Sequence, residues 1–463
     1  MKINSRIFRE YDIRGIVDVD LTTDVVTALG KGFGTYLASR GIKNVVVGRD
    51  VRLSSLAFRD ALENGLISTG ISVLDIGQVP TPLVYYALFE EEPTCGVMIT
   101  GSHNPPEYNG FKLCVDQTSI HGKEIQKIRK IIESEDFITG EGQRSEKTIV
   151  QDYINMVYSR IKINKKLKVV VDSGNGTGGL VAPKLLKKLG CEVIELFSKP
   201  DGNFPHHHPD PTVPKYMKTL CETVVKEKAD IGIGFDGDSD RIGVVDENGK
   251  MILGDYLLLL YARDMLSRKP KQNKIVFEVK SSQNLVKDIE KHGGIPVMTA
   301  AGHSLIKDRM AKEKSLLGGE VSGHIFFGEN YYGFDDAVYA AAKILEILSN
   351  SDKKISEMLL DLPQTYSTTE VRLFCPDELK FKIVDELVKS FSKEYEVITI
   401  DGVRINFKNG WGLIRSSNTQ PVIVVRMEAD TMEELELIKR TIVVKLKKYP
   451  EISGYEALDD IVS

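Results

Sequence analysis

IGIGFDGDSDRIGVVD, residues 231–246, consists of two short apolar runs on either side of a polar loop. Apolar runs of four or five residues predict buried β-strands. The same arrangement recurs around the polar loops Gly101–Pro106 and Gly319–His324. Before each loop, short apolar runs alternate with amphipathic helical patterns. We therefore predict that one unit, strand–helix–strand–helix–strand–loop–strand, occurs three times along the chain.

Each unit starts at an apolar run, at Val45–Val47, Val169–Val171 and Ile275–Phe277. Strands that alternate with helices predict α/β layers with mixed, largely parallel sheets. The chain from about Gln364 differs, because alternating strands precede a helix at Met432–Lys447, which is typical of an α+β domain with an antiparallel sheet. We expect three similar α/β domains and a C-terminal α+β domain. The expected domain bounds are residues 1–147, 148–250, 251–363 and 364–463.

The three polar loops mark the expected active site. In open α/β sheets, ligands bind beyond the carboxyl ends of the strands. Each loop occupies that position in its repeat, so we expect the active site in a central cleft between the domains.

The composition narrows the class of protein. The chain has 463 residues, of which 42% are apolar and 27% charged, and its net charge is -5. This balance disfavours a dedicated nucleic-acid binder, which needs a basic excess. No apolar run approaches the roughly 18 residues of a membrane span. The five cysteines form no C-x-x-C pair, so we expect neither disulfides nor a zinc site, and a cytoplasmic location.

Ser102 lies between Gly101 and His103, and Pro105–Pro106 stiffen the loop that follows. A serine presented on such a loop can serve as a nucleophile or a phosphate carrier. The alternative is an ordinary turn serine that bonds its own backbone. The polar residues around it, including Lys112, favour the first interpretation.

Asp236, Asp238 and Asp240 alternate between two apolar runs. Carboxylates this close repel each other unless a cation neutralises them, and their hard oxygen ligands suit Mg²⁺ or Mn²⁺. An EF-hand calcium site is an alternative, since Glu247 stands at position 12. It is disfavoured because Arg241 replaces the required glycine and strands flank the loop. A solvated acidic turn is the other alternative.

Two further loops are candidates for substrate contacts. Glu320, Ser322 and His324 alternate, which places them on one face of an extended backbone; Glu320 suits sugar hydroxyls and His324 suits proton transfer. Arg415–Thr419 ends a strand and combines a guanidinium with short polar side chains, which suits a phosphate. Ordinary surface turns are the alternatives. We interpret the proline-flanked His206–His208 as an exposed connecting loop.

Together these motifs resemble the α-D-phosphohexomutase superfamily. They occur in order over the full length of the chain, and two more stretches resemble the bacterial phosphomannomutase/phosphoglucomutase branch. The motifs that carry the resemblance are Thr100–Pro106, Asp236–Arg241, Gly319–His324, Arg415–Thr419, Phe8–Gly15 and Gly202–Pro205.

The resemblance implies a role for each site residue. Ser102 would carry the phosphoryl group and, with Asp236, Asp238 and Asp240, hold one Mg²⁺ per chain. Glu320 and Ser322 would bind the sugar 3- and 4-hydroxyls. The phosphate that does not react would be held by Arg415, Ser417, Asn418 and Thr419. Further active-site positions are matched by Tyr11, Arg14, His103, Lys112, Arg241, Lys280, His303 and His324.

The resemblance also implies the reaction. A hexose 1-phosphate and a hexose 6-phosphate, of mannose or glucose, would interconvert through a bound hexose 1,6-bisphosphate. The partners would be small sugar phosphates rather than nucleic acid or membrane, and the chain would be a monomer or a weak homo-oligomer. Three alternatives remain: a phosphoglucosamine mutase, which usually has another residue at the Val321 position, a plain phosphatase, and a non-catalytic Ca²⁺-binding protein.

Overall fold

The computed structural model describes residues 3–269, 272–417, 420–459 and 461–462. These residues form four units, each built on its own sheet, and we number the units I to IV in chain order. None of the described helices is both long and apolar enough to cross a bilayer.

Unit I contains a seven-stranded sheet with helices packed on it. Its elements are β1 (Ile13–Ile16), α1 (Thr23–Ala38), β2 (Asn44–Arg49), α2 (Ser55–Ile67), β3 (Ser72–Gln78), α3 (Thr81–Glu90), β4 (Gly96–Ile99), β5 (Tyr108–Val115), β6 (Thr118–Ser119), α4 (Lys123–Ser134) and β7 (Arg144–Glu146). The strand order is β1–β5–β4–β2–β3–β7, and β6 pairs with β5.

Units II and III repeat this plan on smaller sheets. Unit II comprises α5 (Val150–Arg160), β8 (Lys168–Asp172), α6 (Ala182–Lys188), β9 (Glu192–Leu196), α7 (Pro214–Glu227), β10 (Ile231–Phe235), β11 (Ile242–Val245) and β12 (Met251–Ile252). Unit III comprises α8 (Gly254–Arg268), β13 (Lys274–Glu278), α9 (Gln283–Lys291), β14 (Ile295–Thr299), α10 (His303–Glu313), β15 (Leu317–Gly319), β16 (Ile325–Phe327) and α11 (Ala337–Ser349).

The threefold repeat inferred from the sequence is confirmed by the strand order. The shared part of the three sheets is β3–β2–β4–β5, β9–β8–β10–β11 and β14–β13–β15–β16. In each, three strands are parallel and the last is antiparallel. The polar loops therefore lie at equivalent places, between the third and fourth strands of each set.

Unit IV is the expected α+β domain. Its elements are β17 (Tyr366–Thr368), β18 (Val371–Phe374), α12 (Lys380–Phe391), β19 (Glu396–Ile398), β20 (Val403–Phe407), β21 (Gly410–Ser416), β22 (Val422–Ala429), α13 (Met432–Leu446) and β23 (Ile461–Val462). All pairings among these strands are antiparallel. The α13 helix begins after Thr431, whose side chain accepts a hydrogen bond from the Glu434 amide.

The buried apolar residues show how the units are joined. One continuous cluster crosses units I to III and includes Leu83, Tyr153, Leu258 and Ala341. Unit IV has its own core. A small cluster of Val279, Trp411 and Leu413 connects it to unit III. Units I to III thus share one packed body, to which unit IV is attached.

Polar contacts at this attachment hold the loop 279–283 of unit III. Arg404 is buried, lies 3.7 Å above the Trp411 ring and donates to the carbonyl oxygens of Val279 at 2.5 Å and Ser281 at 2.8 Å. Arg426 donates to the carbonyl of Lys280 at 2.7 Å. Unit IV side chains therefore fix the backbone on both sides of Lys280.

We expect Arg404→Met to destabilise the junction between units III and IV. The change leaves two buried carbonyl oxygens without a donor, which costs about 2 kcal/mol or more. For a domain of about 100 residues such as unit IV, that corresponds to a fall of about 8–16 °C in the melting temperature. Differential scanning calorimetry measures it, and Arg440→Met, on the exposed side of α13, is the control. Equal melting temperatures for the two variants would contradict the assignment.

Candidate active site

Ser102 is held in the β4–β5 loop with its hydroxyl facing unit II. It is buried, its φ is 48°, and its Oγ donates to Asp236 Oδ2 at 2.8 Å. The His103 Nδ1 lies 3.1 Å from the same oxygen. Burial, with Arg241 and Arg14 nearby, holds the pKa of His103 well below its usual value. A neutral imidazole therefore adjoins the serine.

Asp236, Asp238 and Asp240 bring their carboxylates together at the end of β10. All are fully buried, and each offers an oxygen within 4.8 Å of the others. Asp238 Oδ1 has no hydrogen-bond partner among the described residues. Burial and then repulsion from Asp240 and Asp238 raise the pKa of Asp236 well above its usual value. Three converging hard oxygens, one unpartnered, fit a divalent cation.

Positive groups from units I and III surround these acids. The Lys112 ammonium pairs with Asp240 and lies 3.1 Å from Asp238 Oδ2. His324 Nε2 lies 3.2 Å from Asp240 Oδ1, and its Nδ1 lies 2.8 Å from Glu320 Oε2. Burial lowers the pKa of His324, but Asp240 and Glu320 outweigh it and raise the value to about 9. His324 is therefore charged at neutral pH.

Two arginines complete this group of charges. Arg241 Nε lies 3.4 Å from His324 Nε2. Arg14, on β1, donates to Asn104 Oδ1 at 2.5 Å and also pairs with Asp12. Both guanidinium groups therefore belong to the cluster around Ser102 and the acids.

The loop 299–303 of unit III joins units I and IV. The Tyr11 hydroxyl donates to the Ala301 carbonyl at 2.9 Å, and the Ala301 amide donates to Asp401 of unit IV at 3.1 Å. His303 follows, with Nδ1 3.5 Å from Asp335 Oδ2. Burial, and then Lys307 and Lys112, hold the pKa of His303 well below its usual value. Tyr11 and His303 thus lie between the Ser102 group and unit IV.

A second polar group lies at the junction of units III and IV. Lys280 Nζ donates to Glu370 at 2.8 Å and lies 3.3 Å from Glu278. Arg415 Nε donates to Asp401 Oδ2 at 2.7 Å. Ser417 Oγ accepts from the Gln420 amide at 3.1 Å. The predicted residues Asn418 and Thr419 lie outside the described residues.

Glu320 connects the two groups. Its Oε1 accepts from the Gly302 amide at 2.7 Å, while Oε2 contacts His324. Ser322 Oγ lies 3.2 Å from His324 Nδ1. The described candidates thus fall into one cluster around Ser102 and another around Arg415, and the loops at 299–303 and 319–324 lie between them.

The structure excludes one alternative and corrects one interpretation. Glu247 accepts from Ser356 Oγ at 2.5 Å, and strands β10 and β11 flank the acidic loop, so this is no EF-hand. The histidine loop is only partly exposed. His207 lies 3.0 Å from Asp172, and His208 bonds the His103 carbonyl. Asp172 and His103 are distant from the histidines in the sequence, so no local pattern indicates these contacts.

Several residues of the site were missed by the sequence analysis. Asp50 and Arg52 follow β2 and contact the Ser102 loop. Thr81 donates to Asp238 at 2.5 Å. Asp50 and Arg52 follow a parallel strand beside β4, so the strand-end argument used for the polar loops would have included them. No such sequence pattern points to Glu370 or Asp401.

Family models match nearly the whole chain. Their descriptions are phosphoglucomutase/phosphomannomutase alpha/beta/alpha domain I at residues 5–139, domain II at 151–249, domain III at 253–366 and the C-terminal domain at 370–444. The four matched segments follow the four units of the structure.

Whole-chain comparisons agree. The chain is 45% identical over 442 residues to a phosphomannomutase/phosphoglucomutase of Pseudomonas aeruginosa, covering 95% of each. It is 44% identical over 451 residues to a phosphoglucomutase of Neisseria meningitidis, covering 96% of this chain and 98% of the relative. The crystal structure of a phosphoglucomutase/phosphomannomutase family protein from Burkholderia thailandensis superimposes with a TM-score of 0.91 at 39% identity, covering 96% of this chain and 98% of that one. Four family models match in order, and relatives match over at least 95% of their length. Together with the site geometry, this shows that the chain belongs to the phosphoglucomutase/phosphomannomutase family.

Proposed function

We propose that the protein is a phosphohexomutase, an isomerase that interconverts hexose 1-phosphates and hexose 6-phosphates of glucose and mannose. The observation that carries this proposal is the contact between the Ser102 hydroxyl and an acidic cluster with one unpartnered oxygen. In the proposed mechanism, this contact would join the phosphate carrier to the cation site. The similarity to relatives named for both sugars supports the substrate class.

The proposed metal is one Mg²⁺ per chain, held by Asp236, Asp238, Asp240 and the phosphate on Ser102. The metal would supply positive charge where the acids and the transferred phosphate are negative. Lys112 already pairs with two of these acids. Arg14 and Arg241 would supply the other positive charges needed around the phosphate.

In the proposed reaction, a sugar hydroxyl attacks the phosphorus on Ser102. A new oxygen–phosphorus bond forms, the bond to Ser102 Oγ breaks with its electron pair left on Oγ, and hexose 1,6-bisphosphate results. The Oγ would take up a proton from His103, whose Nδ1 lies 3.1 Å away. The proton of the attacking hydroxyl needs an acceptor, and the neutral His103 and His303 are suited to take it. The charged His324 adds to the positive groups around the transferred phosphate.

The bisphosphate must then turn round so that its other phosphate reaches Ser102. We propose that Arg415 and Ser417, with Asn418 and Thr419, hold the phosphate that is not reacting. Glu320 and Ser322 would bind the sugar 3- and 4-hydroxyls, and Tyr11, Lys280 and His303 would line the path. The separate core of unit IV allows it to move about a hinge near Pro363.

A coupled assay with the 1-phosphates of glucose, mannose and glucosamine tests the function. We expect turnover of the glucose and mannose compounds. Turnover of the glucosamine compound alone would instead indicate a phosphoglucosamine mutase. Release of inorganic phosphate without isomerisation would indicate a phosphatase, which the proposed second phosphate site at Arg415 disfavours.

We expect the purified protein to carry a partial single phosphate on Ser102, and Ser102→Ala to lower kcat by several orders of magnitude, because the transfer relay is lost. Intact-mass and peptide mass spectrometry measure the phosphate, and the coupled assay measures kcat. Ser54→Ala, outside the described cluster, is the control. An alanine variant with near-normal turnover would contradict the role of Ser102.

We expect Asp238→Asn to weaken the dependence on Mg²⁺ and slow turnover, since a hard ligand loses its charge. A Mg²⁺ titration of initial rates measures both. Glu247→Gln is the matched control, because Glu247 bonds Ser356 rather than the acidic cluster. The acids would be a purely structural turn if Asp238→Asn gave the wild-type titration curve.

We expect Arg415→Ala to lower kcat/KM about 10- to 150-fold, the effect of losing one charge-assisted contact. It should also release more hexose 1,6-bisphosphate per turnover, because the distal phosphate is held less firmly during reorientation. Rate measurements and bisphosphate quantification test both, with Arg440→Ala as the control. Wild-type values for both would place the distal phosphate elsewhere.

A further inference from the structure

Arg52 is a buried arginine at the end of β2, beside the strand that leads to Ser102. A guanidinium has five N–H donors, and here each has an acceptor. Nε donates to Asp50 Oδ2 at 3.1 Å. The other four donate to carbonyl oxygens along the Ser102 loop and at the first residue of β5. The distances are 2.8 Å to Ser102, 2.5 Å to Asn104, 2.6 Å to Pro105 and 2.8 Å to Tyr108.

The backbone of Ser102 is thereby fixed from both sides. Its carbonyl accepts from Arg52, and its amide donates to Thr100 Oγ1 at 2.8 Å. Thr100 Oγ1 in turn donates to Asp50 Oδ2 at 2.9 Å, so both contacts lead back to the Asp50–Arg52 pair. At Gly101, a Cβ would lie 2.5 Å from Arg52 Cζ, so glycine permits this close approach.

Hydrogen bonds at both the carbonyl and the amide of Ser102 are needed because its backbone conformation is unfavourable. Its φ of 48° lies in the left-handed region, which a serine adopts only where its surroundings hold it there. The direction of the Cα–Cβ bond follows from this backbone conformation. The Oγ that lies 2.8 Å from Asp236 Oδ2 therefore depends on contacts made at the carbonyl.

Unit II also contacts Arg52. The Phe204 ring lies 5.4 Å from the Arg52 guanidinium, within the range of a cation–π contact. A Cβ at Gly202 would lie 2.5 Å from the Val51 carbonyl and 2.9 Å from Arg52 Cα. The Arg52 guanidinium thus lies where units I and II meet, between the Ser102 loop and the loop of unit II at residues 202–204.

We propose that Arg52 is a positioning residue for phosphoryl transfer, which fixes the Ser102 loop so that Oγ is aimed at the acidic cluster. The inference rests on the proposed role of Ser102. Arg52 acts through the loop, since its donors are all used by Asp50, by loop carbonyls and by the carbonyl of Tyr108 at the start of β5. Lysine cannot replace it, because an ammonium has three donors and no planar fork.

The test is Arg52→Lys, with Arg59→Lys as the matched control in the same unit, where Arg59 pairs with Asp60 and Asp75. We expect kcat of Arg52→Lys to fall about 100-fold, the typical effect of a small misplacement of a reacting group. The KM for glucose 1-phosphate should stay within about threefold, because substrate contacts are kept. Single-turnover transfer from phosphorylated Ser102 to glucose 1-phosphate should slow by the same factor as kcat.

A folded Arg52→Lys variant with wild-type kcat, or with a raised KM and unchanged kcat, would overturn the inference. Circular dichroism and the melting temperature establish folding. If Arg52→Lys does not fold, Phe204→Leu loosens the same guanidinium without removing it. We expect about a 3- to 10-fold slower single turnover there, as for loss of one cation–π contact, and a wild-type rate would overturn the inference.

The outcomes separate this inference from the proposed function. An active wild-type enzyme with a fully active Arg52→Lys variant contradicts the inference alone. A wild-type protein that turns over none of the three sugar 1-phosphates contradicts the proposed function, and the inference with it.

Discussion

The mutual repulsion of three buried carboxylates is the constraint on which the rest of the site depends. Asp236, Asp238 and Asp240 lie in unit II with Arg241, while the positive groups that pair with Asp240 come from other units: Lys112 from unit I and His324 from unit III. A buried charge without a partner costs several kcal/mol. The site therefore exists only where the units meet, and the continuous core through units I to III holds those loops in place.

Much of the fold was predictable because the sequence pattern of each repeat is local and can be recognised without knowing its tertiary contacts. Short apolar runs, amphipathic helices and polar loops recur in one order, and the shared strand order follows from them. Helix α1 was not assigned. Its Gly30, Gly32 and Gly34 would suggest a turn, yet a Cβ at Gly30 would lie 2.3 Å from the Leu62 carbonyl. The absence of a side chain at Gly30 allows α1 to pack closely on α2. The local sequence does not indicate that contact.

The candidate site was predictable to the extent that its residues follow strands. Ser102, the aspartates, Glu320 and Arg415 stand in polar loops or at strand ends, where ligands bind. The residues that hydrogen-bond to these side chains are single residues that belong to no recognisable sequence motif. Glu370 lies 90 residues from Lys280, and Asp401 lies 100 residues from the Ala301 amide that it accepts from. Such pairs arise from the packing of unit IV on unit III, which no local pattern encodes.

The loop 279–283 is bonded to both unit III and unit IV. On the unit III side, the Val279 amide donates to the Thr299 carbonyl at 2.9 Å and the Ser282 amide donates to Asp255 at 2.8 Å. Arg404 and Arg426 hold its carbonyls, and Glu428 accepts from the Gln283 amide at 2.9 Å. These bonds tie the backbone around Lys280 to unit IV as well as to unit III. A tilt of unit IV about the proposed hinge near Pro363 would therefore pull on the end of β13 as well as on the linker, and the mechanical joint of the cleft would include both.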